Sequence, residues 1–376
     1  MSDVPFTLDV AQGFGPVADA FRANFTEASP GEIDIGAQFC AYRHGEPLVR
    51  LVGGWFDRKR SRALDGTDLV SVFSSGKAVA ALAVALCVER GQLLYDAPLS
   101  AVWPEFAAQG KARLTLAECL SHQAGLSGIT DPEWTPRAWL DWERTCATLA
   151  AQAPIFPPGS ASGYHPVTYG FLAGEPVRRA TSTTLGEMVR EDLAPDLDVH
   201  IGLPPELSPR CAEMRKPSAL PDFGAITPAT DYAFLKPWSS PGGVSREAWR
   251  AAELAGSNTQ ASADGLARLM QLAVDGTRDG RGLLSAPTLD AFRAERVSGP
   301  DRVLPFELSI AAGVMRNSHG FYGPNPDTVG HSGWGGSCVL ADPDGLHAAY
   351  AMTRQSASLM GDPRSLALIR ALYACL

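Results

Sequence analysis

Apolar residues along this chain recur with two different periods, and the switch between them divides the chain into three parts. A helix is expected around Pro16–Phe25. Ile33, Ile35, Ala37, Phe39 and Ala41 then alternate with Asp34, Gly36 and Gln38, the period of a strand. His44-Gly45 reads as a turn, and Leu48–Val52 returns to complete a hairpin. The C-terminal end repeats the pattern. Cys338–Ala341 and Leu346–Met352 flank the turn Asp342-Pro343-Asp344-Gly345, and Asp362-Pro363 opens a last amphipathic helix through Leu366, Ile369 and Leu372.

The middle is mostly helical. Ala78–Arg90 is rich in Ala, Leu and Val and stops at Gly91, a natural residue for the position after a helix. Thr115-x-x-Glu118 and Thr184-x-x-Glu187 have the form of capping boxes, and Ser262–Val274 is a further helix ended by Gly276. The Pro/Gly-rich stretches Leu203–Gly224 and Lys236–Gly243 read as long loops of the kind that border a site. Strands at both ends and helices between them imply an α/β (α+β) fold. Its antiparallel sheet is built from the N- and C-terminal segments, flanked by helices, with a mostly helical domain inserted. The expected division is residues 1–77 with 255–376 for the sheet domain, and 78–254 for the insertion.

Composition narrows the function classes. Of 376 residues, 45% are apolar and 19% charged, enough to bury a large core and too few charges for long disorder. The net charge of −9 opposes a general nucleic-acid binder, which needs a basic face. No run approaches the ~20 apolar residues of a membrane span. Met1–Gly15 lacks a basic cluster and an apolar core, so no secretory signal is read and a cytoplasmic location is expected. Seven scattered cysteines show no CxxC or Cys/His spacing, so neither a disulfide framework nor a metal site is expected, and they read as small buried hydrophobes. No cofactor is implied.

Three segments carry candidate chemistry. Among five lysines only Lys77 has a serine three residues before it, in Ser74-Ser75-Gly76-Lys77, at the mouth of the Ala78–Arg90 helix. A serine there feels the positive end of the helix dipole, and a residue one turn on shares its face, so the Lys77 amine can reach the Ser74 hydroxyl. Serine needs such a proton acceptor to act as a nucleophile. Read alone, the pair equally fits a helix cap and a solvated first-turn lysine. Second, Pro157-Pro158-Gly159 leads into Tyr164-His165-Pro166 ahead of a helical Val167–Ala180 segment. Tyr164 beside an ammonium would have a lowered phenol pKa and act as a base; alone it fits ordinary packing. Third, Gly330-His331-Ser332-Gly333-Trp334-Gly335-Gly336-Ser337 allows a backbone to approach a ligand and aim N–H groups at it, or is simply a glycine-rich bend. Trp134, Trp139 and Trp142 read as packing or pocket wall, and His122 as a turn residue behind the site.

Together these segments resemble the serine β-lactamase and penicillin-binding-protein superfamily, whose signature is Ser-x-x-Lys, a tyrosine motif and a Lys-Thr-Gly-like strand. The likeness is to its class C-like branch, which includes the family VIII carboxylesterases. Leu94–Leu99, Trp103–Phe106, Leu120–Leu126 and Tyr164–Leu172 support it, with all motifs in order between Ile33 and Met352. No Gly-x-Ser-x-Gly occurs, which disfavours an ordinary α/β-hydrolase.

The resemblance implies an acyl-enzyme on Ser74, with Lys77 and Tyr164 sharing the proton work and either one serving as the acylation base. It implies an oxyanion hole of backbone N–H groups from Ser74 and the third motif. If His331-Ser332-Gly333 stands for Lys-Thr-Gly the second donor is Trp334, the preferred register; if Trp334-Gly335-Gly336 does, it is Ser337. Two departures bear on substrate. Pro166 stands where the lactamase Tyr-x-Asn has its amide, and His331 replaces the lysine that helps hold a β-lactam carboxylate, a weaker anion anchor when neutral. Both point to an esterase for small, uncharged, short-chain carboxylic esters, with possible transfer to alcohols and weak β-lactam hydrolysis. A β-lactamase or D-Ala-D-Ala peptidase is the alternative, and a non-catalytic binding protein on the same fold is a second.

Overall fold

The computed structural model describes residues 4–376. Its main sheet has nine strands: β1 (Phe6–Val10), β2 (Gly36–Arg43), β3 (Glu46–Gly54), β4 (Val297–Pro300), β5 (Glu307–Ile310), β6 (Met315–Arg316), β7 (Val329–Ser332), β8 (Cys338–Ala341) and β9 (Leu346–Met352). They are antiparallel in the order β1-β3-β2-β9-β8-β7-β6-β5-β4. Both expected hairpins form. They are joined inside the sheet, where β2 pairs with β9 from Ala37↔Met352 to Arg43↔Leu346.

Five longer helices matter for the site: α1 (Gly15–Ala23), α2 (Gly76–Glu89), α3 (Tyr169–Thr181), α4 (Ala263–Asp275) and α5 (Pro363–Ala374). Helices α1 and α5 pack together over one face of the sheet, where Ala37, Phe39, Ala41, Leu51 and Tyr350 meet Phe21, Leu368 and Leu372. Cys40, Tyr42 and Val52 turn the other way, beneath α4 and α2. The alternation in β2 therefore separates two cores, not core from solvent. Gln38 shows how a polar residue is accommodated there. Its Oε1 accepts from Ala263 N at 2.8 Å, at the start of α4, and its Nε2 donates to the carbonyls of Asp65 and Asp68. Upstream of the strand, Ile33 is partly in solvent and Asp34 is buried, the reverse of what periodicity expects.

Local signals elsewhere act as their chemistry dictates. Both capping boxes close, Thr115 with Glu118 and Thr184 with Glu187. Gly91 and Gly276 take left-handed conformations after their helices. Asp362 caps α5, whose buried stripe runs Arg364, Ser365, Leu368, Ile369 and Leu372, displaced from the expected one because Leu366 lies only half inside. Six of the seven cysteines are buried and Cys375 is partly so; all are free thiols. Among the described residues no helix is long and apolar enough to cross a membrane.

A small three-stranded sheet joins Val70–Ser71, Gln260–Ala261 and Val199–His200, bringing the segment before Ser74 against residues 256–261. The Leu203–Gly224 loop is not free-running. It lies parallel to the chain at Leu69↔Cys211 and again at Arg215↔Arg354, where it runs beside the segment that leaves β9.

Candidate active site

The apolar run Leu69–Val72 is buried, and the chain then turns sharply through a 3-10 turn, Phe73–Ser75, before α2 begins. Phe73 sits at φ 47°, a left-handed conformation that a bulky residue adopts only under external constraint. The constraint is visible one step on. A Cβ on Gly76 would lie 2.1 Å from Thr259 Oγ1, so the turn is pressed directly onto the small sheet, where Val72 N also bonds Thr259 O. The serine of this turn stands on a braced, strained corner.

Lys77 points back from the first turn of α2. Its Nζ lies 3.0 Å from Ser74 Oγ, 2.9 Å from Pro166 O and 3.1 Å from Gly256 O, and Ser74 Oγ also reaches Gly256 O at 3.1 Å. The side chain is fully buried, and its hydrogen-bond partners are all neutral oxygens. Burial without a counter-ion drives the Lys77 pKa well below its ordinary value. Gly256 must be glycine: at φ +86°, a Cβ would lie 2.4 Å from Lys77 Cγ.

Tyr164 is held by its backbone, whose N–H donates to Asp301 Oδ1 at 3.1 Å. The Lys77 amine lies 4.9 Å from the centre of its ring. The expected lowering of the phenol pKa is overturned. Burial pushes it above the ordinary value and outweighs a hydrogen bond to Ser74 that acts the other way. Desolvation of the phenolate is the largest cause, and no opposing contribution from Lys77 offsets it. Three histidines close the back of the site. The His122 ring is 4.7 Å from that of Tyr164, and its Nδ1 accepts from His165 N. His165 Nε2 accepts from Leu126 N, and His331 Nδ1 bonds Ser332 O. Burial lowers His165 and His331 to about 3 and His122 well below its ordinary value, so all three are neutral at pH 7.

A cavity of about 480 Å³ opens over Ser74 and Tyr164. Of the third motif only Ser332 and Trp334 line it; His331, Gly333, Gly335, Gly336 and Ser337 do not. His331 is thus a supporting residue inside the motif. The motif is an effective strand edge, since β7 meets β6 only at Val329 and Gly330, leaving His331 and Ser332 unpaired on that side. Phe73, Phe234, Trp249, Leu304 and Met360 give the cavity an apolar wall, and among the described residues Lys216 is the one charged side chain on its lining. Both long loops contribute, through Lys216–Leu220 and Ser239–Pro241. Trp134 and Trp139 are core residues instead; Trp139 and Trp142 pack on Phe171 around a separate 240 Å³ cavity that does not include Ser74.

Sequence reasoning did not find Gly256, the carbonyl of Pro166, or Gln355, which lines the cavity. Main-chain carbonyls leave no mark on residue type, and only the glycine hints at a close approach.

Residues 30–374 match the family described as Beta-lactamase. Esterase/beta-lactamase LipL of Mycobacterium tuberculosis is 32% identical over 347 residues, covering 88% of this chain and 79% of its own. A penicillin-binding-protein homologue from Caulobacter crescentus superposes with TM-score 0.95 at 48% identity, covering 99% of this chain and 100% of its own. A family VIII carboxylesterase superposes with TM-score 0.90 at 36% identity, covering 99% and 100%.

Proposed function

The chain belongs to the β-lactamase family, with the fold of the class C enzymes, and on that premise we propose that it is a carboxylesterase forming an acyl-enzyme on Ser74. The observation that carries this reading is the lysine. A neutral amine has two N–H bonds and one lone pair. In the structure Nζ donates to Ser74 Oγ 3.0 Å away and to the carbonyls of Pro166 and Gly256; once the third proton is lost, the two carbonyls keep the two N–H groups and the lone pair faces the Ser74 hydroxyl. Lys77 is then the acylation base, and Tyr164, protonated, is the acid that returns a proton to the leaving alcohol. In deacylation Tyr164 orients the incoming water or alcohol, and the Lys77–Tyr164 pair takes its proton. The oxyanion is held by the backbone N–H groups of Ser74 and Trp334. One feature favours Trp334 over Ser337: Trp334 lines the cavity and Ser337 does not.

The substrate is a small, uncharged, short-chain ester. The apolar wall, a neutral His331 and the absence of a side-chain amide at Pro166 leave a carboxylate little to bind. The likeness to a family VIII carboxylesterase supports an ester as the substrate class. Lys216 on the lining favours a second reading, a β-lactam or peptide carboxylate substrate, as do the relative named esterase/beta-lactamase and the penicillin-binding-protein homologue.

The test is turnover of p-nitrophenyl acetate or butyrate, a chromogenic cephalosporin and a D-Ala-D-Ala peptide by the wild type and Ser74→Ala. Ester turnover should dominate and fall by about 10³-fold or more in the variant. Retained ester hydrolysis in Ser74→Ala removes the nucleophile, and cephalosporin turnover exceeding ester turnover installs the second reading.

A further inference from the structure

Resting on the proposed esterase and its Trp334 donor, we propose that Gln355 and Arg364 are positioning residues that hold the Trp334 N–H at the oxyanion site. The turn 333–336 is tied at every peptide around that donor. Gly333 O accepts from Gly336 N at 3.1 Å, and in a planar trans peptide the N–H of Trp334 then points the opposite way. Trp334 O accepts from Gln355 Nε2 at 3.3 Å. Gly335 O accepts twice, from Arg364 Nη2 and from Ser356 N, each at 2.9 Å.

Both holders are anchored elsewhere. Gln355 N donates to Arg215 O at 2.9 Å, so the amide that grips Trp334 is fastened to the loop that lines the cavity. Arg364 is fully buried at the start of α5 with all five N–H donors placed: Asp362 Oδ1 and Oδ2, Asp34 Oδ1, Arg354 O and Gly335 O. Tyr350 and Ser356 hydroxyls complete the shells of Asp34 and Asp362. The turn rests on this platform without space to spare. A Cβ on Gly335 would lie 2.3 Å from Gln355 Cβ, and one on Gly336 would lie 2.7 Å from Asp362 Oδ2. A buried ion cluster adds little net stability, because desolvation offsets its attraction. A peptide plane held in place, by contrast, matters directly to a donor that must meet an oxyanion at about 3 Å.

The experiment compares Gln355→Leu, Gln355→Glu and Arg364→Lys with the wild type. It reads kcat and KM on p-nitrophenyl acetate, the inhibition constant of an arylboronic acid that forms a tetrahedral adduct on serine, and the melting temperature. Arg364→Lys keeps the charge against Asp34 and Asp362 but surrenders the bond to Gly335 O. Expected are a kcat loss of about 10-fold for Gln355→Leu and about 10- to 100-fold for Arg364→Lys, with KM within about twofold and boronate affinity falling in step with kcat. Gln355→Glu should be worse than Gln355→Leu, since its carboxylate repels the Trp334 carbonyl. Folded Gln355 variants with wild-type kcat and boronate affinity overturn the proposal, as does a change in KM alone. If Arg364→Lys fails to fold, the Gln355 pair decides. A wild type that neither hydrolyses the ester nor binds the boronate overturns the esterase reading itself, before any variant is compared.

Discussion

At the scale of single residues, protonation is set by burial more than by neighbouring charge. Lys77 lies among neutral oxygens, so its charged form loses water and gains no carboxylate in return. The pH–rate profile should follow from this. Activity rises from the acid side as Lys77 loses its proton, well below the usual lysine range, and the three histidines add no inflection of their own because they are already neutral. Tyr164, held above its ordinary value, contributes no alkaline loss below about pH 10. A profile of kcat/KM from pH 5 to 10 checks this. The same group affects stability. Between the lowered native pKa and its unfolded value the unfolded chain binds one more proton, so stability rises with pH through that window. Lys77→Met should lose about 10²- to 10⁴-fold in activity yet melt higher than the wild type at pH 7, the gap closing as pH approaches the unfolded lysine value. Melting curves at pH 7 and pH 10 test it.

At the scale of elements, the site is a junction of segments that each bury their own apolar face. The α2 helix is buried from Gly76 to Cys87, which holds Lys77 rigid from beneath. The turn before it is held by contact with Thr259, and this is where a small change should be costly. Gly76→Ala keeps an ordinary helical φ, so its cost is purely the collision with Thr259. It should destabilise by about 1–3 kcal/mol in denaturant unfolding, the usual range for overpacking, and should also reduce kcat by moving Ser74. An unchanged unfolding midpoint with full activity would show that the turn is not braced as described.

At the scale of the whole molecule, the two chain ends are one structural unit. The β2–β9 pairing lies inside the sheet, with two or more strands on either side, and is covered on both faces, so its amides should exchange only with global unfolding. The Lys216–Ile226 segment is largely exposed, with Leu220 at 84% and Ile226 at 55%, and should exchange orders of magnitude faster. Hydrogen exchange read by mass spectrometry separates the two. Equal protection would mean that the loop is as firmly held as the sheet.

Much of this was legible in the linear chain. The hairpins, the capping boxes and the glycine stops follow from neighbours a few residues apart, where periodicity and hydrogen-bond geometry act directly on residue type, whereas Ser74, Lys77 and Tyr164 stand out as a candidate set only through the family resemblance of three separated motifs. What only the tertiary structure decided is the electrostatic state and the aim of those groups. Gly256 and Pro166 meet Lys77 from 179 and 89 residues away. Arg364 reaches Asp34 across 330. Desolvation and peptide orientation come from whatever the fold packs around a group. The sequence therefore supplied the candidate reacting groups, and the packing decided the direction in which burial shifts their proton affinities, down for Lys77 and up for Tyr164.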